Sequence, residues 1–474
     1  MITEITIENG GFASPIKIAP ENSGNGTWTT VLIGENGSRK SLLLRLIVES
    51  ALGQKRYSEY RDFYLHPNDR LPKKIIAISG TPLDRFPRAG SQNVKSIRRS
   101  KRYQNFLYFG QRSSNGMSGV AQCERSLVST LMSNRTKLAA EEIALEEIFS
   151  KLELLPNVRI QLVANPVIHS FLLKKGGTGG AGFKTFIKKY VMEQVEKLSS
   201  STTDNKELLD SSNIVLNLAA NENSLLLIHE LESLAPHKTV LSFSPQRNRS
   251  RPNGLSIAEW EALLRLGIVD VSGVTFARAK YDPKTVELNR RDISGDRLSS
   301  GQWNWLSSFV GLALEIEPNT LILVDEPENS LHPAWQIDYI SVLEGICQRK
   351  KDCQAIIATH SPLIASGIAP ECGNIVSLIR DEDTSLTKSV ESPSFYGWTA
   401  TDVYEKLFKV RPRAKNFTTN ATDALEHVRI GKKISRREIQ RLTSLLIKDA
   451  SILPNLDPMR IVINNVCDAL KKLG

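Results

Sequence analysis

The 474-residue sequence predicts an α/β protein built on a mostly parallel sheet covered by helices. Two observations carry this expectation. Strand-like and helix-like segments alternate along much of the chain, the pattern produced when helices connect parallel strands. The short runs Leu321–Val324 and Ala355–Ala358 are wholly apolar, as central strands buried on both faces are. No stretch approaches the roughly 18 uninterrupted apolar residues of a membrane span. The opening Met1-Ile-Thr-Glu-Ile-Thr-Ile-Glu8 alternates like a strand and does not read as a signal peptide. A cytoplasmic protein with no membrane contact is expected.

Taken in order, Ile2–Ile7, Ile16–Ile18 and Thr27–Ile33 read as strands with Gly and Asn in the connections. The third leads directly into Gly34-Glu-Asn-Gly-Ser-Arg-Lys-Ser41, followed by a helical pattern, Leu42–Leu52. Lys73–Ser79 and Phe106–Phe109 read as strands on either side of the basic cluster Lys95–Arg102. Apolar residues recur at helical spacing over Ser126–Leu154 and Phe183–Leu198. Between them, Gly176–Gly182 reads as a flexible loop, because no strand–helix frame adjoins it to make a second phosphate site. Ser256–Leu266 reads as a helix, Val269–Arg278 as a strand and Leu298–Glu317 as a buried helix. The final stretch turns helical and basic, with clusters at Lys409–Lys415 and Lys432–Arg437. The expected division is an N-terminal lobe at 1–111, a mainly helical insertion at 112–255, a C-terminal lobe at 256–390 and a basic helical region at 391–474.

The five cysteines are scattered, with no Cys-x-x-Cys pair, so neither a zinc site nor a disulfide framework is predicted. A net charge of +10 favours an acidic partner such as DNA or RNA.

Gly34 to Ser41 nearly matches the phosphate-binding loop Gly-x4-Gly-Lys-Ser (Walker A). In such a loop, backbone N–H groups and a helix N-terminus surround the phosphates of ATP. Asn36, Gly37 and Ser38 supply the loop, Lys40 reaches the β/γ oxygens, and Ser41 takes the Mg2+-ligand position. Arg39 stands where the pattern has its second glycine, so its side chain must point outwards. Leu321-Ile-Leu-Val-Asp-Glu326 is a buried strand presenting Asp325 at its carboxyl end, a Walker B pattern. Asp325 would hold magnesium through water. Glu326 would be the general base that polarises the attacking water.

Leu298-Ser-Ser-Gly-Gln302 resembles the ABC signature Leu-Ser-Gly-Gly-Gln, with Ser300 in place of the first glycine. In that class the segment contacts the γ-phosphate bound by the opposite subunit, so the resemblance implies this role for Ser299, Ser300, Gly301 and Gln302. A helix N-cap is the alternative reading of the same residues. His360 stands where the class places a switch histidine touching the γ-phosphate. Gln111 is a candidate Q-loop glutamine sensing magnesium and water.

Asp325-Glu-Pro-Glu-Asn-Ser-Leu-His-Pro333, with Trp335-Gln336 and Ala358-Thr-His-Ser-Pro362, looks like the RecF/OLD/SMC-like branch of ABC ATPases rather than a transporter subunit. The interval from Ser41 to Leu298 is too short and irregular for long coiled-coil arms. Within the branch, the sequence is most similar to the ATPase subunits of Septu-type bacterial anti-phage systems. Ile76–Phe86 and Leu266–Ser272 also look typical of that group. The resemblance implies an ABC-type head of mixed or parallel sheet with an antiparallel β subdomain. It further implies ATP and Mg2+ as cofactors, a homodimer or higher homo-oligomer around ATP, and an HNH nuclease partner. The chain has no His-Asn-His cluster, and its Asp381-Glu-Asp383 sits in a polar turn, so any cutting is expected of the partner. Two other readings stay open. One is a RecF-like repair ATPase whose Lys95–Arg102 and Lys432–Arg437 clamp DNA, with Tyr103 and Phe106 as stacking or core residues. The other is a non-hydrolysing, nucleotide-gated scaffold, suggested by Arg39.

Overall fold

The computed structural model describes residues 1–8, 12, 15–20, 26–52, 62–65, 71–81, 84–87, 105–110, 119–175, 180–199, 205–220, 223–234, 238–248, 250, 254–281, 288–381, 383, 385–407, 415–430, 435–453 and 457–472. They divide into two units, Met1–Thr399 and Ala400–Gly474.

The first unit opens with β1 (Glu4–Glu8), β2 (Ile16–Lys17), β3 (Trp28–Ile33), α1 (Lys40–Ala51), β4 (Asp62–Leu65), β5 (Lys74–Ser79) and β6 (Phe106–Gly110). Helices α2 (Val120–Ser133) and α3 (Glu142–Ser150) lead to β7 (Leu154–Ala164). Then come α4 (Pro166–Lys175), α5 (Gly180–Ser199), α6 (Asn205–Ala220), α7 (Asn223–Glu232) and β8 (Thr239–Phe243). Helix α8 (Ile257–Arg265), β9 (Val269–Tyr281) and β10 (Leu288–Ser294) lead into α9 (Ser300–Glu315). The unit closes with β11 (Thr320–Asp325), α10 (Pro333–Cys347), β12 (Gln354–Ala358), α11 (Pro362–Ala365), β13 (Gly373–Arg380) and β14 (Thr387–Ser392).

The central sheet has the order β14-β13-β3-β12-β11-β5-β6 and is parallel apart from the antiparallel edge strand β14. Every residue of β11 and β12 is buried, which is why those two runs carry no alternation. Helix α1 packs Leu43, Leu44, Leu46 and Ile47 into the cluster formed by Leu32, Leu321, Leu323, Ile356 and Ala358. Register brings the strand ends into line: Leu32 and Asp325 both lie opposite Ala358, and Asp325 also lies opposite Ser79. The loops after β3, β5, β11 and β12 therefore leave the same carboxyl edge, where open parallel sheets bind ligands.

A second sheet, β2-β1-β4, is antiparallel, with Ile5, Ile7 and Ile16 buried. The third, β10-β9-β7-β8, is antiparallel too; its β9 contains the strand expected at Val269–Arg278, whereas β7 and β8 fall within 112–255, read from sequence as mainly helical. In β7, Val158, Ile160, Leu162 and Ala164 are buried and alternate with Arg159, Gln161 and Val163, a period of two. The Leu-rich helical pattern ahead of it runs through Leu152 into Leu154 and hides the change of period. The glycine cluster also differs from its reading as a loop: Gly180-Ala-Gly182 open α5, while 176–179 lie outside the described residues.

Helix α9 is apolar almost all round because it is buried almost all round. Trp303 Nε1 donates to Gly295 O (2.9 Å) and Trp305 Nε1 to Ile148 O (3.0 Å), so neither indole buries an unpaired donor. At Gly311 a Cβ would lie 2.6 Å from the Phe109 ring, so glycine lets β6 approach the helix.

The second unit contains α12 (Ala400–Leu407), α13 (Lys415–Ile430), α14 (Arg436–Ile452) and α15 (Pro458–Lys472). Ala424, Ile439, Leu442, Leu446, Ile463, Val466 and Leu470 form a core of its own. Residues 409–414 and 432–434 of the two basic clusters, and all of Lys95–Arg102 with Tyr103, lie outside the described residues. Among the described residues, no helix is long and apolar enough to cross a membrane.

Candidate nucleotide site

The loop from Gly34 to Arg39 joins the end of β3 to the start of α1. A Cβ at Gly34 would lie 2.4 Å from Leu378 O and 2.7 Å from Ser38 Oγ, so only glycine passes there. Gly37 has φ 84°. Arg39, with φ 68° and ψ 25°, adopts the left-handed conformation at the N-cap of α1. A non-glycine residue pays about 1–2 kcal/mol for that conformation. Its guanidinium lies 5.8 Å from the Phe12 ring centroid.

Lys40 is buried, and its Nζ donates to Gly34 O (2.9 Å), Glu35 O (3.3 Å) and Ser38 Oγ (3.3 Å). Burial pulls its ammonium down to about 8, against the opposing pull of Glu326, Glu328 and Asp325. One residue on, Ser41 Oγ donates to Asp325 Oδ1 at 2.9 Å. Asp325 is 1% exposed at the end of β11. Burial raises its carboxyl to about 7; the Ser41 hydrogen bond opposes the shift, while Glu326, Asp84 and Glu328 add to it. A hydroxyl and a buried carboxylate with acidic neighbours suit a small, hard divalent cation such as Mg2+. Among the described residues, no group of three or more His, Cys, Asp or Glu is placed to hold a metal, so phosphate oxygens and water would have to complete the shell.

Glu326 follows with φ 49°. Its N–H donates to Ala358 O (2.9 Å), and its Oε2 accepts from Asn329 Nδ2 (2.8 Å). A Cβ at Gly80 would lie 2.1 Å from Glu326 O, so the turn is pinned from both sides. His360 is the second residue of the loop after β12. Burial lowers its pKa, the positive charge of Lys40 lowers it further, and Glu326 opposes. Its imidazole is therefore neutral at neutral pH and can present an N–H to an anion.

The fold thus gathers Lys40, Ser41, Asp325, Glu326 and His360 from three strand ends. It treats the other candidates differently. Ser299 and Gln302 form a capping box at the start of α9, with Ser299 N donating to Gln302 Oε1 (2.8 Å) and Gln302 N to Ser299 Oγ (3.3 Å). Ser300 is exposed. Gly301 packs so closely on the loop after β11 that a Cβ would lie 2.1 Å from Ser330 O. Gln111 lies outside the described residues. Glu328 and Asp84 are charged neighbours that sequence reasoning did not single out, although both fall within stretches it quoted. Their roles depend on partners distant in sequence, which no local spacing reveals.

Residues 279–366 match a family profile described as "AAA domain, putative AbiEii toxin, Type IV TA system". The retron Ec83 probable ATPase of Escherichia coli is 27% identical over 262 residues, covering 50% of this chain and 46% of that protein. The Septu protein PtuA of Bacillus thuringiensis is 28% identical over 159 residues, covering 30% of this chain and 39% of that protein. The chain resembles the retron ATPases and the Septu protein PtuA. It spans less than half the length of either curated relative. Among solved structures, the SMC head domain from Thermotoga maritima aligns with a TM-score of 0.31 and 11% identity, covering 83% of this chain and 99% of that one.

Proposed function

We propose that the chain binds and hydrolyses ATP as an ABC-class ATPase subunit of an anti-phage defence complex. In this proposal it closes as a homodimer or higher homo-oligomer around the nucleotide and holds or regulates a nuclease partner of HNH type. Residues 1–111 and 256–390 would form the two lobes of the head, 112–255 the insertion and 391–474 a basic helical appendage. The observation that carries the reading is the Ser41–Asp325 hydrogen bond. It ties the phosphate loop to the Walker B strand, with Lys40, Glu326 and His360 around it. The likeness to retron ATPases and to PtuA supports the defence setting.

In this mechanism the backbone N–H groups of Asn36 to Arg39 cradle the phosphates, and Lys40 turns from its loop carbonyls to the β/γ oxygens. Ser41 and Asp325 would hold magnesium, which when bound neutralises charge developing on the phosphoryl oxygens. Glu326 accepts the proton of the attacking water, and neutral His360 donates a hydrogen bond to the γ-phosphate. Ser299 to Gln302 of a second copy would close the site from the other side. A second reading, a nucleotide-gated scaffold without turnover, is favoured by the left-handed backbone of Arg39.

Turnover measured on wild type and Glu326→Gln separates the two. The hydrolytic reading expects a loss of about a hundredfold or more with ATP binding retained, since general-base removal costs that much. Turnover indifferent to Glu326→Gln overturns the assignment of the base. Tight ATP binding with no wild-type turnover selects the scaffold.

A further inference from the structure

We infer that Glu328 is the positioning residue for His360. The inference rests on the hydrolytic reading of the site for its consequence, but its geometry stands independently. Glu328 lies in the loop after β11, and His360 in the loop after the neighbouring strand β12. Glu328 Oε1 accepts the His360 backbone N–H at 2.5 Å, and Oε2 accepts the Thr359 hydroxyl at 2.7 Å. Thr359 Oγ1 in turn accepts the Ser361 N–H at 2.9 Å. The Ser361 hydroxyl donates to Gln336 Oε1 (2.7 Å) and accepts the Ile364 N–H (3.3 Å), capping α11. Gln336 Nε2 then donates to Leu331 O (3.0 Å). The ring of bonds returns to the loop that bears Glu328, so the two loops are stitched together at both ends.

The residue type follows from the donors. A hydroxyl and an N–H both point at Glu328, and a carboxylate accepts one on each oxygen without bringing a competing donor. Hydrogen bonds to a carboxylate are also stronger than neutral ones. Glu326 is held by other means, through Ala358 O and the close approach of Gly80. Loss of Glu328 therefore falls on His360 and leaves the base where it is. None of these bonds reaches the loop of Lys40 or Ser41, so Glu328 acts on the phosphate and magnesium positions only through its charge, which pulls on Lys40 and Asp325.

The test uses the full chain with Glu328→Ala, Glu328→Gln, His360→Ala and the double variant Glu328→Ala/His360→Ala. Glu328→Ala lowers single-turnover ATP hydrolysis about 10- to 100-fold, the scale set by misplacing a reacting group by about an ångström. Its affinity for a fluorescent ATP analogue changes by much less than the rate. Glu328→Gln recovers part of the rate, because its amide oxygen still accepts the His360 N–H. In the His360→Ala background Glu328→Ala has no further effect, as expected when one residue acts through the other. A readout free of turnover is the ring-13C histidine spectrum, in which His360 is the resonance missing from His360→Ala. That resonance moves in Glu328→Ala and stays near its place in Glu328→Gln. A Glu328→Ala defect that persists undiminished without His360, an ATP affinity that falls as much as the rate, or a His360 resonance unmoved by Glu328→Ala overturns the inference. A wild type without turnover counts against the hydrolytic reading alone, and the spectrum then decides the positioning role.

Discussion

Above pH 8, nucleotide binding should take up a proton at Lys40. The residue is 5% exposed, and burial brings its ammonium from 10.5 down to about 8. The free chain then carries a neutral Lys40 in about one-tenth of molecules at pH 7 and about nine-tenths at pH 9. Triphosphate oxygens restore the ordinary value, so Lys40 takes up about 0.9 proton at pH 9 and about 0.1 at pH 7; at pH 7 the proton released by Asp325 on holding magnesium outweighs this, so pH 9 is where the uptake is read. The dissociation constant rises towards tenfold per pH unit between about 8 and 10. The sign for stability follows the same logic. The folded pKa lies below the unfolded one, so the fold carries the cost of a buried ammonium at low pH and is relieved of it as pH rises from 8 towards 10.5. That relief is worth about 3 kcal/mol and is absent from Lys40→Met. Calorimetric titration of the wild type with a magnesium-saturated, non-hydrolysable ATP analogue, in buffers of different ionisation enthalpy, reads the uptake directly. Uptake near zero at pH 9, or a stability difference between wild type and Lys40→Met that does not change with pH, refutes the reasoning.

Two helical glycines should behave in opposite ways. Gly301→Ala drives a Cβ against Ser330 O at 2.1 Å, a backbone atom with no rotamer to escape into, and should cost about 1–3 kcal/mol in denaturant unfolding. Gly345→Ala in α10 meets nothing nearer than Glu147 Oε2 at 3.7 Å and should stabilise by about 0.5–1 kcal/mol. Equal effects at the two sites contradict the packing described. Arg39→Gly removes a left-handed penalty of about 1–2 kcal/mol while losing about 0.5–1 kcal/mol over Phe12 and a similar amount to unfolded-chain entropy. The net change should be small, whereas Arg39→Ala keeps the penalty and loses the ring contact. Arg39→Gly proving the less stable of the two in chemical denaturation sinks that account.

What the sequence alone determined is the set of local patterns whose physics is local. The Gly34–Ser41 loop followed by α1, the wholly apolar β11 and β12, and Asp325 at a strand end were legible because each depends on its immediate neighbours. The serine at 299 was also legible as a cap, and the structure uses it as one. Tertiary structure decided which strand ends stand side by side, because register between β3, β12 and β11 is set by packing across the sheet rather than by any segment alone. It joined Ser41 to Asp325 and placed Glu328 under His360. It also paired β7 with β8 and β9 into a sheet that the preceding helical pattern concealed. Periodicity reports which face of a segment is buried. Only the assembled sheet decides which other segment lies against that face, and so which acids and donors meet at its edge.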